Sequence, residues 1–442
     1  MRTSKFLVLF KSRLAGHLIL MSAGNILCAG LAFLAILIIS KAVSVSDFGL
    51  FNISISVILM VQPLINFGML GTMIKFVSSH LSRDRKDEAT HVVKAVFVIK
   101  VTLSLFMSTF IFLLADPLAR HIFQLPSLFP LLRMAAGGIF FLSMFNYVKA
   151  TLWAYKKFRA YVVIQFLTDA AKVLTISVLF LISGLTVFSA ITVFSLLPLL
   201  GICLGFVYFW EVFSSKGVHT PKLYFQLYSF GKWLFLSNLG RRFFLYIGVI
   251  MLARMLDSEA AGIYGLALNL THIFPIIVAT LTSVLLPEVS RFREKEQFTL
   301  YYWQSLKICA GFGLLLAPLL FLAKDIILFF FGERYFGSIP VFIWLALSFL
   351  FFAFSHILRP ILLALDKPQI VTYTDLVSVI VMLVGCYAFI PKLGVLAPAI
   401  TAFVINICSM VFLAIYTIRH IHRTEMFIET DGISVIPDYN ST

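Results

Sequence analysis

Runs of twenty or more apolar residues, parted by short polar intervals, repeat along nearly the whole chain. Twenty helical residues rise about 30 Å, the thickness of a bilayer's hydrocarbon core, so each run predicts a membrane-spanning helix. Twelve spans are predicted, at about 17–40, 49–78, 92–115, 129–154, 160–183, 187–210, 229–255, 260–288, 303–323, 337–365, 371–391 and 395–418. The longest internal polar intervals, about 211–228 and 289–302, leave no room for a soluble domain between spans. An all-α polytopic membrane protein follows, and any chemistry must sit within the membrane or on these loops.

Polar residues at helical spacing interrupt the apolar spans. In the seventh, Asn238, Arg241 and Arg242 stand at i, i+3 and i+4 and share one face. In the fifth, Gln165, Asp169 and Lys172 form a second stripe. Ser22 and Asn25 mark the first span, Gln62 and Asn66 the second, Lys100 the third, and Asn269 and His272 the eighth. A guanidinium at mid-bilayer costs about 2.5–3.5 kcal/mol on insertion scales, and charge at that depth faces water or a partner. Two adjacent arginines point about 100° apart on a helix. They also exceed what Asp169 alone can neutralise, so they predict a water-filled cationic cavity. The Asp169–Lys172 spacing fits a closed ion pair as well. His272 equally suits an interhelical hydrogen bond, and Asn25 and Asn238 suit packing contacts between helices.

Composition agrees with the span pattern: 61% of residues are hydrophobic, 12% are charged, and mean hydropathy is +1.00, outside the range of soluble domains. The net charge of +15 raises nucleic acid as a partner; the distribution of the charge argues against it. The termini and alternate loops hold eighteen Lys and Arg, among them Arg83, Arg85, Lys86, Lys156, Lys157, Arg159, Arg291, Arg293 and Lys295. The opposite loops hold six: Lys41, Arg120, Arg254, Lys324, Arg334 and Lys392. By the positive-inside rule both termini are cytoplasmic, which requires an even number of spans. Of the bases inside spans, Lys75, Lys94, Lys149, Lys232, Lys307 and Arg359 lie within about two turns of a cytoplasmic end. Long side chains there snorkel toward water, and Lys75, Lys149 and Arg359 are expected at the cytoplasmic mouth. Lys100, Lys172, Arg241 and Arg242 form the deep set, against Asp169. The five cysteines are dispersed within spans, with no CxxC pair, and read as small buried hydrophobes. No catalytic residue, metal site or cofactor is expected. Without a clustered acid pair or a sizeable loop, an integral-membrane glycosyl-transfer enzyme is disfavoured.

Pro63 and Pro275 fall near the middle of the second and eighth spans and are expected to bend them. The two halves also align. At an offset of 213, Asn25 falls on Asn238, Lys41 on Arg254, Gly49 on Gly262, Leu50 on Ile263 and Phe51 on Tyr264. At 210, Lys149 falls on Arg359, Leu152 on Leu362, Ala154 on Ala364 and Lys157 on Lys367. Repeats of six spans keep the same topology and are related by an axis along the membrane normal, with a site between them. The expected organisation is an interfacial basic segment at 1–16, an N-terminal six-helix lobe at 17–210 and a cytoplasmic linker at 211–228. A C-terminal six-helix lobe at 229–418 and a cytoplasmic tail at 419–442 complete it.

Three stretches carry a family resemblance. One is Asn25 with Ser46-Asp47-Phe48-Gly49-Leu50-Phe51, followed by Gly68, Gly71 and Lys75. Its echo is Glu259-Ala260-Ala261-Gly262-Ile263-Tyr264-Gly265-Leu266-Ala267. The third is the pair Ala154-Tyr155-Lys156-Lys157-Phe158 and Ala364-Leu365-Asp366-Lys367-Pro368. Over almost its whole length the chain resembles the multidrug/oligosaccharidyl-lipid/polysaccharide exporter superfamily, and within it the O-antigen-type (Wzx-like) polysaccharide flippases. The resemblance implies two six-helix lobes in a V around a central cavity, in the bacterial inner membrane. It also implies, without enzymatic chemistry, movement of an undecaprenyl-diphosphate-linked glycan from the cytoplasmic to the periplasmic leaflet for polysaccharide and lipopolysaccharide O-antigen biosynthesis. Membrane lipids and the polysaccharide polymerase and ligase machinery would be its partners.

A cationic lumen is expected in that group, and the deep bases fit it. On this reading Arg241, Arg242, Lys100 and Lys172 hold phosphates or acidic sugars, and Asn25, Asn238 and Asn269 bind hydroxyls. Asp169 and His272 are the candidates for ion coupling. The first span carries Asn25 where multidrug and cation antiporters usually carry a carboxylate, and Ser82-Arg83-Asp84-Arg85-Lys86-Asp87-Glu88 lacks the glycines of the major-facilitator loop. The alternative is an ion-coupled exporter of small anions or drugs.

Overall fold

The structure, a computed structural model, describes residues 13–209, 221–278, 282, 289, 292, 295–364 and 367–423. Most of the expected interfacial segment and tail, and the first part of the linker, lie outside the described residues. The first half contains α1 (Arg13–Ala42), α2 (Val45–Asn66), α3 (Met69–Ser82), α4 (Lys86–Pro117), α5 (Leu128–Ala154), α6 (Phe158–Leu181), α7 (Val187–Leu196) and α8 (Pro198–Phe206). The second half contains α9 (Pro221–Met255), α10 (Ser258–Thr271), α11 (Lys295–Phe321), α12 (Ala323–Phe331), α13 (Ser338–Ala364), α14 (Pro368–Leu393) and α15 (Ala397–Arg423). Strands are absent among the described residues.

Among the described residues, eleven helical stretches are long and apolar enough to cross a membrane. The last, Gln369–His420, has 52 residues, about twice what one crossing needs. It consists of α14 and α15, which fold against each other around the 3-10 turn Gly394–Leu396. Gly394 opens that turn with φ +56°, a conformation favouring glycine. Large apolar side chains such as Leu113, Leu181, Phe321, Phe329 and Tyr387 are exposed on the outer surface, as a lipid environment allows.

The helix starts repeat between the halves. Ser44 caps α2 by accepting from the Asp47 N–H, and Asp257 caps α10 by accepting from the Ala260 N–H. These caps stand at the same offset of 213. A helix end lies close to each proline. α2 continues past Pro63 to Asn66, and Phe67 (φ +42°) and Gly68 (φ +71°) then turn left-handed. The Phe67 N–H closes on the Pro63 carbonyl at 2.9 Å, and α3 starts at Met69. α10 ends at Thr271, the residue whose carbonyl Pro275 cannot bond, and helix resumes over 273–278. Of the expected linker, residues 221–228 are helical and continuous with the seventh span in α9.

The apolar core is undivided at one end of the bundle and split at the other. One cluster joins both halves, with Phe48, Phe51, Ile53, Leu132 and Ile191 from the first and Leu252, Tyr264, Tyr335, Leu345 and Ile405 from the second. Beyond it, Met73, Val93, Val148 and Ile164 belong to a cluster confined to the first half. Phe298, Tyr301, Ile357 and Leu358 belong to one confined to the second. The outcome is two lobes joined at the end that carries the 1–2, 7–8 and 9–10 loops.

The joint is built on the repeat. Gly49 and Gly262, equivalent in sequence, meet across it: a Cβ on Gly49 would stand 1.7 Å from the Ser258 carbonyl oxygen, and one on Gly262 2.3 Å from that of Val45. Val45 and Ser258 are also equivalent, so a pseudo-twofold axis passes between the two glycines. Small residues let α2 and α10 approach to backbone contact. Polar bridges surround them: Ser46 Oγ to Ser258 Oγ at 2.6 Å, and Asn269 Nδ2 donating to Asn52 Oδ1 at 2.8 Å. The Arg334 guanidinium donates to the Ser40 and Val43 carbonyls at the end of α1. Tyr335, beside Arg334, packs edge-on against Phe48.

Candidate functional site

Farther from the joint the lobes face each other with charged residues. α9 carries Arg241 and Arg242 half-way along its length. Arg241 has exposed side-chain surface although protein atoms crowd its wider surroundings, which places it on the wall of an internal cavity. Its Nη2 donates to Asn238 Oδ1 at 2.5 Å, so this pair forms one polar face as its spacing predicts. Arg242, also exposed, is within electrostatic reach of the Tyr246 hydroxyl, which lies 3.4 Å from His272 Nε2. His272 thus belongs to the Arg242 side of the cavity.

The second-lobe charges continue into an ion pair. Arg359 on α13 grips Asp375 on α14 with both terminal nitrogens, at 2.6 and 3.2 Å. Ser237 Oγ donates to the same carboxylate at 2.6 Å. Gly240 permits this, because a Cβ there would stand 3.1 Å from the Asp375 carbonyl. The side chains are 13% and 8% exposed. Arg359, expected at the cytoplasmic mouth, is therefore an interior residue: a carboxylate on the neighbouring helix holds it in place, and snorkelling cannot compete with a bidentate pair.

The first lobe presents a looser group. Lys172 Nζ lies 2.9 Å from one Asp169 oxygen, with 18% and 19% of the two side chains exposed. The Cys28 thiol of α1 lies beside Asp169. Lys149, on α5, is within electrostatic reach of Asp169, Lys172, Cys28 and, across the cavity, Arg242. It also was expected at the mouth. The packing of α5 on α6 turns it inward instead, where its ammonium sits 4.8 Å from the Phe145 ring centre. Among the described residues, Arg359, Arg241, Arg242, Lys149 and Lys172 thus face Asp375 and Asp169: five bases against two carboxylates.

The remaining residues lie elsewhere. Lys100 is fully buried and donates to Asn66 Oδ1 at the carboxyl end of α2, away from the cavity wall. The break at Phe67–Gly68 creates that helix end, whose partial negative charge suits an ammonium. Asn269 is engaged by Asn52 in the joint between lobes. Asn25 is half-buried on α1, and Lys75 is exposed on α3. Sequence reasoning passed over Asn52, Tyr246 and the weight of Asp375. The last had a signal: Arg359 and Asp375 flank the short turn between α13 and α14, and helical hairpins bring such positions together.

Comparison with known proteins fits this geometry. The family described as polysaccharide biosynthesis protein matches residues 14–293. Lipopolysaccharide biosynthesis protein WzxC of Escherichia coli (strain K12) is 22% identical over 329 residues, covering 72% of this chain and 63% of that protein. The chain thus aligns with less than two thirds of that relative's length. An inward-facing multidrug resistance MATE family transporter of the MOP superfamily superposes with a TM-score of 0.76 at 12% identity, over 90% of this chain and 96% of that one. The lipid II flippase MurJ, in an inward closed conformation, gives 0.67 at 15%, over 93% and 94%. At these identities the likeness is one of fold. The family match spans more than half of the sequence, and the chain, a multi-pass membrane protein with the fold of the MOP superfamily, belongs to the polysaccharide biosynthesis protein family.

Proposed function

We propose that the protein is a flippase for an undecaprenyl-diphosphate-linked oligosaccharide, turning its head group from the cytoplasmic to the periplasmic leaflet of the bacterial inner membrane. The observation that carries the reading is the cation excess facing the space between the lobes. Fixed positive charge that no protein carboxylate neutralises is costly at this depth unless water or an anionic ligand compensates it. A diphosphate is such a ligand, and guanidinium groups bind its oxygens through paired hydrogen bonds. Arg241 and Arg242 would hold the diphosphate, Asn238 and Asn25 would meet sugar hydroxyls, and the prenyl chain would stay in lipid. With both termini cytoplasmic, the joined end of the V is periplasmic and the cavity opens inward. Alternating access then requires the joint at Gly49 and Gly262 to part as the opposite ends close. No step of bond-making is assigned, and polysaccharide polymerase and ligase would take over the delivered glycan.

The test is surface-glycan complementation in a strain lacking its own flippase. Wild type restores the glycan; Arg241→Ala combined with Arg242→Ala abolishes it while the protein still inserts. Wild-type glycan levels in the double variant refute the cationic site. Failure of a correctly inserted wild type, together with proton-coupled efflux that Asp169→Asn abolishes, replaces the reading with the small-substrate exporter.

A further inference from the structure

The two lobes treat their equivalent cations differently. Lys149 is the repeat equivalent of Arg359 at an offset of 210. The same offset carries Asp375, the carboxylate that locks Arg359, onto Gln165. The second lobe thus closes its charge pair with three hydrogen bonds on one carboxylate. The first lobe places a neutral amide at the corresponding position, and Gln165 Oε1 is buried without a hydrogen-bond partner among the described residues. The acid of the first lobe, Asp169, lies one turn farther along α6 and is held by Lys172 through a single oxygen. Lys149 has no carboxylate within ion-pair distance among the described residues. It faces Asp169 and Lys172 on its own lobe and Arg242 on the other.

We infer that Lys149 is the anion anchor of the first lobe, kept available by Gln165, and that Asp169 is the resident counter-ion of the empty site. This rests on the flippase reading and names its first-lobe partner for the diphosphate. A bound diphosphate bridges Lys149 and Arg242, two cations that otherwise repel across the cavity, and so ties the lobes through their ligand. Asp169 limits the affinity by competing for the ammonium groups, which allows release on the far side. Gln165, a neutral amide where the second lobe has Asp375, leaves Lys149 unneutralised. An acid at position 165 would reproduce the closed pair of the second lobe and silence the anchor.

The experiment measures binding of undecaprenyl diphosphate, with undecaprenol as the uncharged control, to the full-length protein in nanodiscs. Relative to wild type, Gln165→Glu weakens binding about tenfold and raises thermal stability, whereas Asp169→Asn tightens binding about tenfold, each the equivalent of one ion pair gained or lost. Lys149→Gln weakens binding about tenfold and removes the effect of Gln165→Glu. A purely structural role for these residues does not give opposite signs at positions 165 and 169. If the Glu variant is not monodisperse, Gln165→Asp supplies the charge at the length of Asp375, and Lys149→Gln decides independently. Wild-type affinity in Lys149→Gln, or unchanged affinity in both the 165 and 169 variants, overturns the inference and leaves the flippase reading standing. Absence of binding to wild type, or equal binding of undecaprenol, overturns the diphosphate reading and the inference with it.

Discussion

Arg359 and Arg241 carry the same charge in one lobe, yet their surroundings assign them opposite tasks. The Arg359 guanidinium is spent on Asp375, which Ser237 also engages, and the pair is almost wholly withdrawn from solvent. Removing one member leaves a buried charge unpaired, at a cost of about 3–5 kcal/mol. Asp375→Ala and Arg359→Ala are therefore expected to lower the thermal midpoint of purified protein sharply, and the reversed pair Arg359→Asp with Asp375→Arg to recover part of the loss. Arg241→Ala, which removes exposed cavity surface and one contact to Asn238, leaves the midpoint nearly unchanged. Equal destabilisation by Arg241→Ala and Arg359→Ala would contradict this division. The sequence displayed both arginines, with Asn238 on the face of Arg241, but not the pairing of Arg359 with Asp375. Distance from a span end suggested snorkelling for Arg359 and Lys149, whereas the register of each helical hairpin decides where they point. Lys100 went astray for a similar reason: its host is Asn66 at a helix end that exists because α2 stops at Phe67.

At the scale of elements, hydropathy located the spans because the bilayer imposes one length on every crossing. The repeat was visible for the same local reason: N-caps, glycines and span-end bases recur at a fixed offset. Less legible was where helices break. Pro63 and Pro275 correctly marked interrupted spans, but the chain turns at Phe67–Gly68 in one and at Thr271–His272 in the other, where backbone groups find substitutes. The equivalence of Gly49 and Gly262 was on view in the sequence; that they touch each other was not. Their contact makes a strong prediction. A methyl group at Gly49 meets the Ser258 carbonyl at 1.7 Å, and backbone cannot swing aside as a flexible side chain can. Gly49→Ala and Gly262→Ala should each weaken the joint by about 3 kcal/mol or more, in the upper range of overpacking. Gly311→Ala, whose Cβ would meet open space, serves as the control. Thermal shift and glycan export read both; a Gly49→Ala protein as stable as the control would mean that the lobes do not pack this closely.

For the molecule as a whole, transport by rocking lobes requires the joined end to open once per cycle. One pair of residues spans that closure. Ser46 and Ser258 face each other with hydroxyl oxygens 2.6 Å apart, beside the pseudo-twofold axis and beside the Arg334 contacts to Ser40 and Val43. Hydroxyls that close place their Cβ atoms near the separation a disulfide tolerates. Ser46→Cys with Ser258→Cys, in a background with the exposed Cys203 and Cys408 replaced by Ser, is expected to form a disulfide on oxidation. The linked protein retains the observed arrangement, with the lobes joined at this end. It should therefore still bind undecaprenyl diphosphate but export no glycan, and reductant should restore export. Neither single cysteine variant should respond to oxidant, which separates locking from general oxidative damage. Export that continues with the link intact would show that Ser46 and Ser258 stay together throughout the cycle, and that substrate leaves by a path that does not separate the lobes at their joint.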